Sequence, residues 1–140
     1  MTQEITPFLM FQGGRAEEAM RFYVSAIPNS RIEQIERYGP GEDGPEGTVK
    51  QALFTLNGRA FMCFDSPVSH AFTFTPSISL FTTCDSPEEV DEVYGKLSEG
   101  GEVLMPLDTY PFSPRFAWIA DRFGVSWQIT VASYLRKDVP

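Results

Sequence analysis

Residues 16–23 read AEEAMRFY, and residues 87–94 read PEEVDEVY. Each carries a pair of glutamates at its second and third positions and closes on a tyrosine, with an offset of 71 positions. Ala16, Ala19, Met20 and Tyr23 recur at helical spacing, as do Val90, Val93, Tyr94 and Leu97. Both stretches therefore predict amphipathic helices with one face for a core. Glutamates in the first turn suit the positive end of the helix dipole. Ser86-Pro87-Glu88-Glu89 adds an N-cap, a proline at the first helical position and the acid of a capping box. Pro28 stops the first helix, and Gly100-Gly101 ends the second.

Working outward, each helix is preceded by one strand-like run and followed by three. Ile5–Phe11 and Ser77–Thr83 come before the helices. Arg31–Tyr38, Thr48–Leu56 and Arg59–Phe64 follow the first; Glu102–Met105, Arg115–Ala120 and Ser126–Val131 follow the second. Asn57-Gly58 joins two of these strands, a strong hairpin signal. GPGEDGPEG at 39–47 is a loop by composition. The last hairpins also match: LNGRAFM at 56–62 aligns with RFGVSWQ at 122–128, an offset of 66. An internal repeat outranks local propensity in fixing the architecture. The expected fold class is α+β, two tandem βαβββ modules. Module one covers about 4–65, a linker 66–76, and module two about 77–132 of a single domain. LDTYPFSPR at 107–115, with two prolines, reads as an irregular connection or a semi-rigid lid.

The 140 residues suit one domain with a real core, and 12 phenylalanines supply material for a lined cavity. The net charge of -8 argues against nucleic acid, because that affinity rests on Lys and Arg neutralising phosphates. MTQEITPFLM has neither a basic start nor a long apolar stretch, so neither a secretory signal nor a membrane span is expected. Cys63 and Cys84 lie in apolar runs and read as buried reduced thiols, which makes the cytoplasm the default location. His70 is the single histidine. Zinc and non-haem iron sites usually draw on two or more, so one chain cannot supply them, and a homodimer could only if His70 lay at its symmetric interface.

PFLMFQGGRAEEAMRFY (7–23) and PSISLFTTCDSPEEVDEVYGKLSEGGEVLMPLDTYPFSPRFAWIADRFGVSWQI (76–129) resemble the vicinal oxygen chelate superfamily, which includes glyoxalase I, bleomycin resistance proteins and extradiol dioxygenases. Over roughly residues 4–132 the chain is most similar to its PhnB-like branch, whose members are often labelled 3-demethylubiquinone-9 3-methyltransferase-like. The resemblance implies curved mixed sheets around a cavity, with each helix on an outer face (the glyoxalase/bleomycin resistance/dioxygenase fold), and a homodimer. It does not make the methyltransferase label chemical: a glycine-rich turn of the Rossmann type and an acid placed to hold a ribose are both missing from the sequence.

Metal-binding relatives place His, Gln or Glu on the first and last strands of each module. The repeat offsets put Phe8, Met62, Ser79 and Gln128 there. Phe cannot ligate, Met is a soft donor, and Ser and Gln are weak neutral ones, so neither a metal nor another cofactor is expected. Strand alternation turns Leu9 and Phe11 to a helix, and Phe8 and Met10 to the cavity. The expected ligand-binding set is Phe8, Met10, Met62, Phe64, Ser79, Phe81, Trp118 and Gln128, with Phe116 on the same register. Such a lining, mostly apolar with Ser79 and Gln128 as polar anchors, suits a small organic molecule. Arg115 could grip a carboxylate or lie on the surface as an ordinary arginine. Asp65, Asp85 and Asp121 sit beside turns, where Asp usually bonds backbone groups. No catalytic residue stands out. Three readings follow: a metal-free small-molecule-binding protein, an enzyme of lyase, isomerase or dioxygenase type with an atypical site, or a dimeric interaction module with a vestigial cavity.

Overall fold

The computed structural model describes residues 3–132. By its internal contacts the chain divides between Ala71 and Phe72 into two compact units. The first holds β1 (Phe8–Phe11), α1 (Ala16–Ala26), β2 (Arg31–Arg37), β3 (Val49–Leu56) and β4 (Arg59–Asp65). The second holds β5 (Leu80–Cys84), α2 (Pro87–Leu97), β6 (Glu102–Tyr110), β7 (Ser113–Ala120) and β8 (Ser126–Val131). The order of elements is the predicted tandem βαβββ.

In the first unit the sheet runs β1-β4-β3-β2, with β1 parallel to β4 and the other pairs antiparallel. The β3–β4 turn is Asn57-Gly58, both with positive φ (48° and 82°). A tight two-residue hairpin needs that backbone, and Asn and Gly tolerate it best. α1 buries Ala16, Ala19, Met20, Tyr23 and Ala26. Its apolar face meets Ala52, Phe54 and Cys63, which alternate to one side of the sheet and are fully or almost fully buried. Tyr23 stacks on Phe54 with ring centroids 6.4 Å apart.

The second unit repeats this plan, with order β5-β8-β7-β6 and β5 parallel to β8. α2 begins as expected: Ser86 Oγ accepts the Glu89 N–H at 3.1 Å, and Pro87 takes the first position. The capping box closes one residue early, because Glu89 Oε1 accepts from the Asp85 N–H rather than from that of Ser86. Val90, Val93 and Leu97 of α2 are buried, as are Ile119, Trp127 and Ile129 of the sheet it covers. A side chain at Gly101 would collide with the Ala120 carbonyl, 2.2 Å from where its Cβ would lie, so this close approach requires glycine.

Three expectations need correction. The first strand starts at Phe8, not Ile5, and Ile5 is almost fully exposed. The fifth covers Leu80–Cys84 rather than Ser77–Thr83, so Ile78 lies outside it and is exposed. Residues 107–115 are neither loop nor lid: β6 runs to Tyr110, β7 starts at Ser113, and the two pair at Tyr110–Ser113 around a two-residue turn. Both prolines avoid the ladder: Pro111 lies in the turn, where its fixed φ is accommodated, and Pro114 falls at the register shift between the Tyr110–Ser113 and Asp108–Phe116 pairs, so neither position needs an N–H donor. Aromatic packing then supports the hairpin: the Phe116 ring is edge-on to Tyr110 at 5.6 Å and to Phe112 at 4.8 Å.

Candidate functional site

Each helix covers one face of its sheet, and the opposite face carries the side chains of the other strand register. In the first unit that open face presents Phe8 and Met10 from β1 beside Met62 and Phe64 from β4. Phe8 stands opposite Met62 and Met10 opposite Phe64, while Leu53 of β3 continues the row beyond Met62. Phe8 and Phe64 are in ring contact at 5.0 Å, and Phe8 remains 54% exposed. The four predicted lining residues of this module therefore form one apolar patch.

The open face of the second unit differs in chemistry. Phe81 of β5 stands opposite Gln128 of β8, and Gln128 stands opposite Trp118 of β7. Ser126 Oγ accepts the Trp118 indole N–H at 2.8 Å and lies 2.7 Å from Ser79 Oγ. Gln128 Nε2 donates to Ser79 Oγ at 3.3 Å. Ser79, Trp118 and Gln128 are half-buried, Ser126 is buried, and the Phe81 ring is 54% exposed. The predicted Ser79, Phe81, Trp118 and Gln128 thus gather on one face. Sequence reasoning missed Ser126, the hub of the network. Its signal was its place on the inward register, two residues before Gln128. Phe116 shares that face but is only 2% exposed beneath Tyr110 and Phe112.

The repeat offset needs revision at one position. β1 pairs β4 with Phe8 opposite Met62, and β5 pairs β8 with Phe81 opposite Gln128. Phe81, not Ser79, is therefore the counterpart of Phe8. The reason is local. Gln12–Arg15 separate β1 from α1, whereas only Asp85 and Ser86 separate β5 from α2. An offset taken from the helices is two residues out in the strands before them.

Other candidates resolve into structural roles. Arg115 Nε bonds Asp91 Oδ1 of α2 at 2.7 Å, so it belongs to the helix side as a surface ion pair, and that hydrogen bond raises its pKa. Asp65 accepts backbone N–H groups from Ala16 and Val49. Asp121 accepts those of Phe123 and Val125 and the Trp127 indole N–H. Asp85 is exposed and is a donor through its own N–H. Burial pushes the thiols of Cys63 and Cys84 up to about 12. Ser66 Oγ lies 2.9 Å from His70 Nε2, but it also bonds the Val68 N–H and C=O, which ties it into a turn.

A cleft of about 370 Å³ opens in the first unit, lined by Gly13, Gly14, Pro45, Thr48, Asp65 and residues 66–69. It lies at the start of α1, away from the open face. A helix start often binds anions, but here the Asp65 carboxylate already occupies it, with both oxygens engaged.

Residues 3–130 match the family model for 3-demethylubiquinone-9 3-methyltransferase. The chain belongs to that family. A solved PhnB protein from Bacillus cereus is 56% identical, covering 93% of this chain and 100% of its own, with a TM-score of 0.89. Protein PA1353 from Pseudomonas aeruginosa is 25% identical over 93% of this chain and 98% of its own, with a TM-score of 0.80. The fosfomycin resistance protein FosX from Listeria monocytogenes, solved as a point mutant with Mn(II) and 1S,2S-dihydroxypropylphosphonic acid, is 14% identical. It covers 98% of both chains with a TM-score of 0.64, a likeness of fold alone. Two mixed four-stranded sheets, each with its helix, are the glyoxalase/bleomycin resistance/dioxygenase fold, as expected.

That fold raises the question of a metal. The positions equivalent by register hold Phe8, Met62, Phe81 and Gln128. In the first unit the pair supplies a hydrocarbon ring and a soft thioether, and in the second a hydrocarbon ring and one neutral amide oxygen. A hard divalent cation prefers carboxylate or imidazole ligands, so neither pair fits one. Among the described residues, no cluster of three or more His, Cys, Asp or Glu could hold a metal elsewhere.

Proposed function

We propose that this family member binds a small organic molecule on the open faces of its sheets, without a metal. The observation that carries the reading is the Ser79–Ser126–Trp118–Gln128 network beside the exposed Phe81 ring. Small-molecule sites combine apolar and aromatic lining with a few fixed polar groups, and this face carries both kinds of side chain. The apolar patch of Phe8, Met10, Met62 and Phe64 supports the same reading. The proposal treats residues 4–132 as one functional domain of two modules. Among the described residues, the shifted titrations are surface ion pairs and the two buried thiols, so none supplies the network with a general acid or base.

The reading also takes the protein to be a cytoplasmic homodimer. Edge strands β2 and β6 and exposed apolar side chains such as Phe72, Ile78 and Val103 favour a partner surface. Among the described residues no helix is long and apolar enough to cross a membrane. Sedimentation of the purified chain tests the dimer.

A thermal-shift screen of aromatic and amphipathic metabolites tests the binding reading. A ligand at about 100 times its Kd stabilises the native state by about 2.7 kcal/mol, a readily measured rise in melting temperature. The rise is expected to shrink in Phe81→Ala and Gln128→Leu. No shift from any such compound would sink the reading.

A further inference from the structure

The direction of the hydrogen bonds in the second module defines what the open face can still offer. Ser126 is only 2% exposed, and among the described residues its hydroxyl meets just two groups, Trp118 Nε1 and Ser79 Oγ. The indole N–H can only donate. The buried Ser126 O–H therefore needs an acceptor, and Ser79 Oγ is the one within reach. So Ser126 donates to Ser79, and the chain runs from Trp118 through Ser126 to Ser79.

Ser79 Oγ accepts twice, from Ser126 and from Gln128 Nε2. Its own proton is left over. Turning the Gln128 amide over would place Oε1 3.3 Å from Ser79 Oγ, too long for an O–H···O bond, whereas an N–H donor comes closer to its usual range. Gln128 Oε1 has no partner among the described residues. The network thus ends in two spare donors, the Ser79 O–H and the second Gln128 Nε2–H, beside one free acceptor, Gln128 Oε1.

Charge narrows the choice. The open-face registers of β5, β7 and β8 hold Phe81, Thr83, Phe116, Trp118, Ala120, Ser126, Gln128 and Thr130, without a cation. At the edge, β6 pairs Asp108 with Phe116 and Glu102 with Ala120, which adds acids. A carboxylate or phosphate ligand would meet no positive partner there, and acids would oppose it.

We infer that this face recognises an uncharged ligand with an amide N–H and C=O adjacent on an aromatic ring. The C=O accepts from the Ser79 O–H, the N–H donates to Gln128 Oε1, and the ring lies on Phe81. The inference rests on the proposed small-molecule reading and gives that site its ligand class.

The test titrates the full chain with carbostyril, N-methylcarbostyril and naphthoate, reading melting temperature and the fluorescence of Trp118 and Trp127 together. Carbostyril is expected to bind saturably. N-methylation removes the donor and should weaken binding about tenfold, the worth of one hydrogen bond left unmade. Naphthoate should bind more weakly than either. In Gln128→Met the ratio between carbostyril and its N-methyl analogue should fall to near one, and Ser79→Ala should weaken both lactams. If Gln128→Met fails to fold, the Ser79→Ala result decides. Naphthoate binding best, or an unchanged ratio in Gln128→Met, would overturn the ligand class while leaving the binding site standing. Binding by none of the three at their solubility limits overturns the ligand class alone, provided other compounds in the screen still bind.

Discussion

The carboxylate of Asp65, at the end of β4, accepts the N–H of Ala16 at 2.8 Å, across 49 positions of sequence. Arg15, the residue before α1, makes no side-chain cap of its own. The second oxygen of Asp65 takes the Val49 N–H at 2.9 Å, so one buried group ties β4, β3 and α1 together. Asp65→Ala leaves two buried donors unpaired and should cost about 2–4 kcal/mol. Asp65→Asn keeps one acceptor and should cost less. In the second module Ser86 caps α2 locally, and Ser86→Ala should cost only about 1 kcal/mol. Urea unfolding of the three variants checks the order. An Asp65→Ala cost no larger than that of Ser86→Ala would show that the long-range cap is not what holds α1.

That contrast also shows what could be read from the chain. Ser86-Pro87-Glu88-Glu89 announces α2 because a local cap writes itself into adjacent residues. The cap of α1 is nonlocal, so the sequence near Arg15 carries no sign of it. The same limit affected the site. Strand alternation placed Phe8, Met10, Met62 and Phe64 together, and Phe81 beside Gln128, because period-two patterning survives any loop. Carrying an offset from helix to strand did not survive the shorter turn before α2, so Phe81 had to replace Ser79 as the partner of Phe8. Trp118 and Ser126 meet only through register across β7 and β8, which no single stretch of sequence displays.

Both thiols should be inert in the folded protein. Cys63 and Cys84 face the helices and are at most 1% exposed. Desolvation pushes each up to about 12, helped by Asp65 near Cys63 and Glu89 near Cys84. At pH 8 the thiolate fraction is then on the order of one in ten thousand. Reaction with Ellman's reagent should be negligible until denaturant is added and should then release two equivalents. Rapid labelling under native conditions would place at least one thiol at the surface.

Glu17 should make stability depend on acid. Hydrogen bonds from Arg37 and Arg21 lower its pKa from 4.5 to about 2. A carboxyl lowered by folding stabilises the native state above its unfolded pKa, and that contribution fades as pH falls from about 5 to about 2. The pair is partly solvated, so Glu17→Gln should cost only roughly 0.5–1 kcal/mol at neutral pH. The cost should vanish near pH 2 and shrink at high salt. Paired denaturation curves of wild type and variant across this range check the sign; a cost that grows toward acid would contradict it.

The donor set at the register-equivalent positions makes its own prediction. Phe8 and Met62 in the first unit give a hard cation no oxygen, and Phe81 and Gln128 in the second give it one neutral oxygen. One such ligand cannot offset the loss of a hydration shell, so a divalent metal should gain little by binding there. Protein purified without added metal should carry zinc, nickel, manganese or iron far below one equivalent. Dialysis against a chelator should leave its melting temperature unchanged, because a metal that binds only the native state would raise it. Carbostyril binding should survive the same treatment. Stoichiometric metal lost together with ligand binding would mean that other groups complete a metal site, and the metal-free reading would have to be abandoned.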